Sequence, residues 1–325
     1  MKKIIILLLL LPLGISITFG QKKTEEEVLG IGVGGTFAKP KIIPSLTKLA
    51  VAQVSVNYKL TTEERVVEKE KRSGAIAGAK VTAYLKTTDA DLSEADLQEV
   101  TDYFYQYLQK KLKANGVDTV GWSSITSSEF YKDADGRVEE GGERQGNVWV
   151  TSTANKGNII YGGALAFAFG KMKAASRFCK ELDAPAAFFY VTVDFADVLV
   201  NVDIKTGTYH SLYTTTKTRN TKFQSSVAPE LKVIPSSYLS LFWNEKMQSE
   251  SLFISKDIDA GIPYSDNVSE DVSKARSGLA KQFAFRKEMT PVVIETTREK
   301  YKAAAKKALE KYADAFIEKI ASSKK

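Results

Sequence analysis

The chain has 325 residues, 43% of them hydrophobic, a formal net charge of +7, one cysteine and one histidine. Such a composition is globular and supports one large or two ordinary domains. It excludes an intramolecular disulfide and every zinc site built from several Cys or His ligands.

The first residues, MKKIIILLLLLPLGISITFGQ, carry the three parts of a secretory signal. Lys2 and Lys3 charge the start, an apolar run follows from Ile4 to Leu13, and Thr18 and Gly20 flank Phe19 before Gln21. The run is about half the roughly 20 residues of a spanning helix, and Pro12 and Gly14 interrupt its end. The expectation is therefore a signal peptide over 1–20, cut before Gln21, and export of a soluble chain to the periplasm. Peripheral attachment to the outer membrane or full secretion are its alternatives. No Cys stands near the cleavage point to accept a lipid.

Residues 21–47 read as a flexible lead-in. They hold the acidic run Glu25, Glu26 and Glu27, then Gly30, Gly32, Gly34 and Gly35, then Pro40 and Pro44. The glycines lack the Lys-Ser/Thr and the flanking strand and helix of a phosphate-binding loop. A domain over 48–325 follows, expected to be α/β (α+β), a mixed sheet packed by helices in one large unit, with a polar insertion over about 132–158.

In that domain Val51, Val54, Val56, Tyr58 and Leu60 mark a strand with a polar extension, TTEERVVEKE. A glycine-marked turn and a second strand, VTAYLKT, come next. LSEADLQEVTDYFYQYLQKKLKANG predicts a helix with Ser93 or Asp91 as its N-cap, acids in its first turn, lysines in its last and Gly116 beyond. A strand, VDTVGW, and a short helix, SSITSSEFYKDA, complete this half.

A further helix ends in SRFCKEL, where helical spacing of apolar residues makes Cys179 a buried, inert thiol. AAFFYVTVDF is a buried strand, and VLVNVDI and TYHSLYTTTKT form a hairpin turning at Lys205, Thr206 and Gly207. His210 falls in this hairpin. No GxSxG elbow accompanies it, so a sheet residue is expected rather than a catalytic base.

The closing helix, from about 297 to 321, sets Tyr301, Ala304, Ala308, Leu309, Tyr312, Phe316 and Ile320 on one stripe. Residues 296–325 hold nine Lys/Arg against four Asp/Glu, so the mature chain's basic excess lies here. A nucleic-acid surface is not expected from so local a charge.

No residue set converges on catalysis or on a cofactor. Two acidic patches offer oxygen ligands for a structural calcium, Asp133, Asp135, Glu139 and Glu140 in one and Asp257, Asp259 and Asp266 in the other. Neither has the spacing of a complete calcium loop. Two features suit partner binding: the apolar segment Tyr238, Leu239, Leu241, Phe242 and Trp243, a binding patch if it is an exposed loop and a core edge otherwise, and the lysines Lys300, Lys307 and Lys311, which also suit an anionic membrane surface.

The order strand, capped helix (LSEADLQEVTDYFYQYLQKKLKANGV), strand (VDTVGW) and short SSITSSEF helix resembles the α/β domain of the curli secretion protein family and the amino-terminal domain of TolB-like periplasmic proteins. The signal ending in Gly-Gln is similar to those of exported proteins of Bacteroidetes-type bacteria. The resemblance covers about residues 49–131. Export, the lack of a catalytic constellation, the basic closing helix and the apolar segment together lead to the expectation of a non-catalytic periplasmic component that binds an envelope or outer-membrane protein complex, such as a secretion or assembly machine. The acidic Asp-Phe usual after the family's first strand is replaced by VAQVSVNY, and pore formation is not implied. The alternatives are a carboxylate-based hydrolase, which needs a cleft with two facing acids, and a small-ligand-binding protein, which needs an apolar pocket.

Overall fold

The computed structural model describes residues 29–31, 42–71, 74–132, 141–160, 169–210, 213, 215–243, 248–274 and 286–324. The signal peptide, the patch at Asp133 to Glu140, and Gly32, Gly34 and Gly35 lie outside them.

The fold is a mixed sheet with helices on both faces. Its centre is β2 (Lys48–Lys69), parallel to β7 (Ala186–His210) from Ala50↔Ala186 to Tyr58↔Val193. Beyond β7 come β9 (Tyr238–Trp243), β10 (Gln248–Ile254) and β1 (Leu29–Ile31). In the other direction lie β3 (Ile76–Thr87), β14 (Val292–Thr296) and β12 (Ser265–Glu270). The short β4 (Asp118–Thr119) pairs parallel with the start of β2. The polar insertion is built into the sheet. It forms the hairpin β5 (Gly141–Arg144) and β6 (Asn147–Thr153), and β6 pairs with β2 from Ser55↔Thr153 onward.

Strand alternation divides two cores. Val51, Val54, Val56 and Tyr58 of β2 face α1 (Glu94–Ala114) and α5 (Arg298–Ser323). Ala50 and Ala52 face the opposite side, where Phe178, Cys179, Phe188 and Phe242 gather under α2 (Trp122–Ser127), α3 (Glu129–Lys132) and α4 (Phe169–Glu181). A register shift between Val51 and Gln53, which leaves Ala52 without a partner on β7, lets Val51 and Val54, three residues apart, share the main-core side.

Helix α1 begins where its sequence directs. Ser93 accepts from the Asp96 amide while Asp96 accepts from the Ser93 amide, closing a capping box. Phe104, Leu108 and Leu112 are buried at successive turns, each such side chain adding about 1.5–3 kcal/mol. In α5 the stripe from Tyr301 to Ile320 is buried, and its alanines allow close docking on the sheet.

The two helices are joined along their outer seam by a polar ladder. Glu99 takes Lys302 at 2.8 Å and Lys306 at 2.6 Å, Tyr103 donates to Glu310, and Asp314 accepts from Tyr107 at 3.1 Å and pairs with Lys111 at 2.8 Å. Hydrogen bonds to Lys302 and Lys306 hold the Glu99 carboxyl below its ordinary range.

Two expectations are corrected. Residues 42–46 do not belong to a flexible lead-in: Ile42, Ile43 and Leu46 are buried in the main core, and Leu29–Ile31 forms an edge strand against β10. The turn of the second long hairpin is not at Lys205 to Gly207. Strand β7 runs through them to His210, and β8 (Thr215–Val233) returns with Gly207 opposite Thr218 and His210 opposite Thr215. A glycine is tolerated there because the strand is extended, so the Gly signal marked no turn. The segment Tyr238 to Trp243, which composition leaves open between a core edge and an exposed loop, is a strand inside the sheet.

Candidate protein-interaction surface

The partner-binding residues expected from sequence fall into two places, one buried within the sheet and one on the exposed face of α5. Tyr238, Leu239, Leu241 and Phe242 are buried in β9, and Trp243 is partly buried against the main core. Tyr238 stacks on Tyr190 with ring centroids 5.1 Å apart, and Phe242 meets Phe188 edge-on at 5.6 Å. Lys300, Lys307 and Lys311 are exposed on α5 but engaged. Lys300 pairs with Asp266, Lys307 reaches Glu310 at 2.9 Å, and Lys311 donates to the Asp259 carbonyl at 2.8 Å. The second acidic patch is thereby divided among lysines, since Asp257 pairs with Lys232 at 2.7 Å. Among the described residues no three His, Cys, Asp or Glu side chains are placed to hold a metal.

Cys179 donates to the Phe242 carbonyl at 3.4 Å, and burial pushes its thiol up to about 12. A thiol so placed is protonated and inert at neutral pH. The backbone of His210 ends β7, at the far tip of the second hairpin. Among the described residues no helix is long and apolar enough to cross a membrane.

Two grooves mark the surface, each of about 480 Å³. One lies between the first turn of α1 and β6, lined by Glu94, Gln98, Thr151, Ser152 and Lys156 among others. The second lies between α2 and the end of α4, with Lys48, Ser124 and Glu181 in its wall. Each has one carboxylate in its lining, so neither offers the facing pair of acids that glycoside hydrolysis uses.

The largest feature that the core does not explain is an arm of two long hairpins. At Val193 strand β7 pairs with Tyr58 on one side and Val233 on the other, then leaves β2 and, among the described strands, continues paired with β8 alone. From Ala196 to His210 it extends about 45 Å at ~3.3 Å per residue. The far half of β2 and the start of β3 accompany it. Val66, Ala77 and Ala79 pack on Val200, Val202, Ile204 and Phe223, a small core made of strand residues alone. β13 (Arg286–Glu288) runs beside β3, and Lys287 lies 5.4 Å over the Phe223 ring.

The arm is anchored at its root by buried charge. Asp194 is 4% exposed and stands at the register shift between Asp194 and Ala196. It accepts from Lys59 at 2.7 Å, from Thr62 at 2.6 Å and from the Phe195 amide at 2.9 Å. Tyr264 donates to the carbonyl of Phe195, and burial holds its hydroxyl well above the usual tyrosine range. Across β7, Lys232 is 5% exposed among Asp197, Glu230 and Asp257. Burial opposes its charge, yet hydrogen bonds to Asp257 and Asp197 outweigh that and raise the lysine above its ordinary range.

Comparison with protein-family models, curated proteins and solved structures found no match. The arm and its chemistry therefore carry the functional reading.

Sequence reasoning missed the arm as a unit. One signal was present: residues 204–229 contain no Asp or Glu, while Lys205, Lys217, Arg219 and Lys222 stand among many Thr and Ser. Asp194, which interrupts the apolar run VTVDFADV, was a second.

Proposed function

We propose that the chain is an exported, non-catalytic component of the cell envelope that binds another envelope protein, through the arm rather than through β9 or α5. The observation that carries this reading is the projection of β7 and β8 beyond the helix-covered sheet, stiffened by a strand-only core and rooted by buried ion pairs. An extension that packs on the main core only at its base, through Ala196, Val198, Val227 and Leu231, yet is held rigid beyond it, suits presentation of a surface to a partner. The signal-like start agrees with an envelope location, and the engaged lysines of α5 make that helix a weaker candidate.

The test is affinity purification from the envelope fraction with an arm-shortened chain. Val198 and Val227 are cross-strand partners, so residues 199–226 can be replaced by Asn-Gly, a two-residue hairpin turn. The intact chain is expected to retain specific envelope proteins that the shortened, folded chain loses. Equal recovery by both, or none by either, overturns the reading.

A further inference from the structure

Strand β6 turns one residue's backbone into the groove beside α1. The hairpin turn before it, Gln145 and Gly146, has φ of 53° and 80°, the two positive values of a type I′ turn. The closing pair of such a turn, Arg144 and Asn147, exchanges both ladder hydrogen bonds. Every second residue of β6 from Asn147 onward therefore points its amide and carbonyl away from β2. Thr153 follows that alternation, since its carbonyl accepts from Gln98 of α1 at 2.9 Å. Trp149 faces β5, whose first residue, Gly141, lies opposite Val150. Thr151 points the same way, but among the described residues no strand lies beside it. It is 7% exposed and lines the groove of about 480 Å³. A buried backbone amide and carbonyl call for partners.

The two walls of the groove carry opposite charges. Glu94 stands in the first turn of α1 and Lys156 in the turn after β6, both exposed and, among the described residues, without an ion-pair partner. Lys156 is held in place firmly. It follows Asn155 in a second consecutive left-handed conformation, φ 51° after 54°, which a lysine rarely adopts. Asp102 fixes this turn by accepting from the Asn155 amide at 2.6 Å. Gln98 donates to the same carboxylate at 2.9 Å and accepts from Ser152 at 3.2 Å. Gly157, next in the chain, lies so close to Trp122 and Tyr131 that any side chain there would collide with them.

We propose that this groove binds a short peptide with free ends, its ammonium at Glu94, its carboxylate at Lys156 and one of its backbone units paired with Thr151. A backbone amide and carbonyl side by side are matched by those of another backbone, and a free peptide adds both charges. A lone anion leaves Glu94 and the Thr151 carbonyl unmatched, and a lone cation leaves Lys156 and the Thr151 amide. The volume is that of a small-ligand site. The groove is separate from the arm, and the inference does not depend on what the arm binds.

The experiment titrates the mature chain calorimetrically with trialanine, its N-acetylated form and its C-amidated form, and follows the Thr151 amide by hydrogen exchange. Trialanine is expected to bind and to slow exchange at Thr151, and each blocked form to bind roughly tenfold more weakly. Glu94→Gln should weaken trialanine by a similar factor and no longer distinguish it from the acetylated form, while still preferring it to the amide. Lys156→Gln should do the reverse. If that variant misfolds, Lys156→Asn replaces it, because asparagine tolerates the left-handed turn. No binding of trialanine, equal affinity for the blocked forms, unchanged discrimination in folded variants, or binding without protection of Thr151 would overturn the assignment. Capture of envelope proteins by the intact and arm-shortened chains decides the arm's role separately.

Discussion

Lys232 and Asp257 meet at 2.7 Å at the root of the arm, where the lysine side chain is 7% exposed and the aspartate 39%. The lysine offsets three carboxylates that would otherwise repel one another across β7, β8 and the start of β11 (Ile258–Asp259). Lys232→Met keeps the packing of the stem and removes the charge. Because the acids are partly solvated, the expected loss is about 1–3 kcal/mol, below that of a fully buried broken pair. Urea unfolding measures it, and added salt should recover part of it. The sign with pH follows from the raised lysine. Its contribution is complete below the unfolded value of about 10.4 and fades as pH rises through the higher folded value.

Asp194→Ala removes the acceptor shared by Lys59, Thr62 and the Phe195 amide. Leaving those buried donors without it should destabilise by about 2–4 kcal/mol. Hydrogen exchange should show the loss first at the register shift where β7 leaves β2. An Asp194→Ala protein as stable as the parent would contradict the proposed anchoring.

Val202→Ala opens a cavity in the strand-only core of the arm without touching the main one. A local loss of about 1–2 kcal/mol is expected. It should speed amide exchange in residues 196–231 while the thermal midpoint of the whole chain moves little. A large fall in that midpoint would mean that the arm and the sandwich unfold as one unit.

The seam between α1 and α5 predicts an acid response. The Glu99 carboxyl is held below its ordinary range by its hydrogen bonds to Lys302 and Lys306, and Asp96 by those from Ser93. A carboxylate lowered on folding stabilises above its unfolded value, about 4, and that stability is lost as pH falls through the folded one. Glu99→Gln should therefore flatten the acid limb of stability against pH, with the clearest difference from the parent above pH ~4. Ser93→Ala, which opens the capping box of α1, should cost about 1 kcal/mol.

Helix positions were largely legible because their signals are local. The Ser93 cap and the apolar period of 97, 100, 104, 108 and 112 lie within one segment, and α5 at 298–323 falls close to its expected span. The long strands were not legible to their ends. TTEERVVEKE is polar because its outer face is solvated, yet Val66 alternates inward onto the arm core. The six-residue apolar run from Tyr238 could be a core strand or an exposed patch by composition alone, and its partners Ala186 to Tyr190 and Gln248 to Phe253 lie far off in sequence. The root of the arm depends on residues as distant as Thr62 and Asp194, a juxtaposition that no local period encodes.

The most direct test of binding through the arm is site-specific photocrosslinking in the intact envelope. A photoreactive residue is placed at Gln224 on the exposed arm, at Lys307 on α5 or at Trp243 on β9. The account predicts a discrete crosslinked protein adduct from position 224 and none from 307 or 243. Adducts from 307 with none from 224 would contradict it and return the interaction to the basic helix.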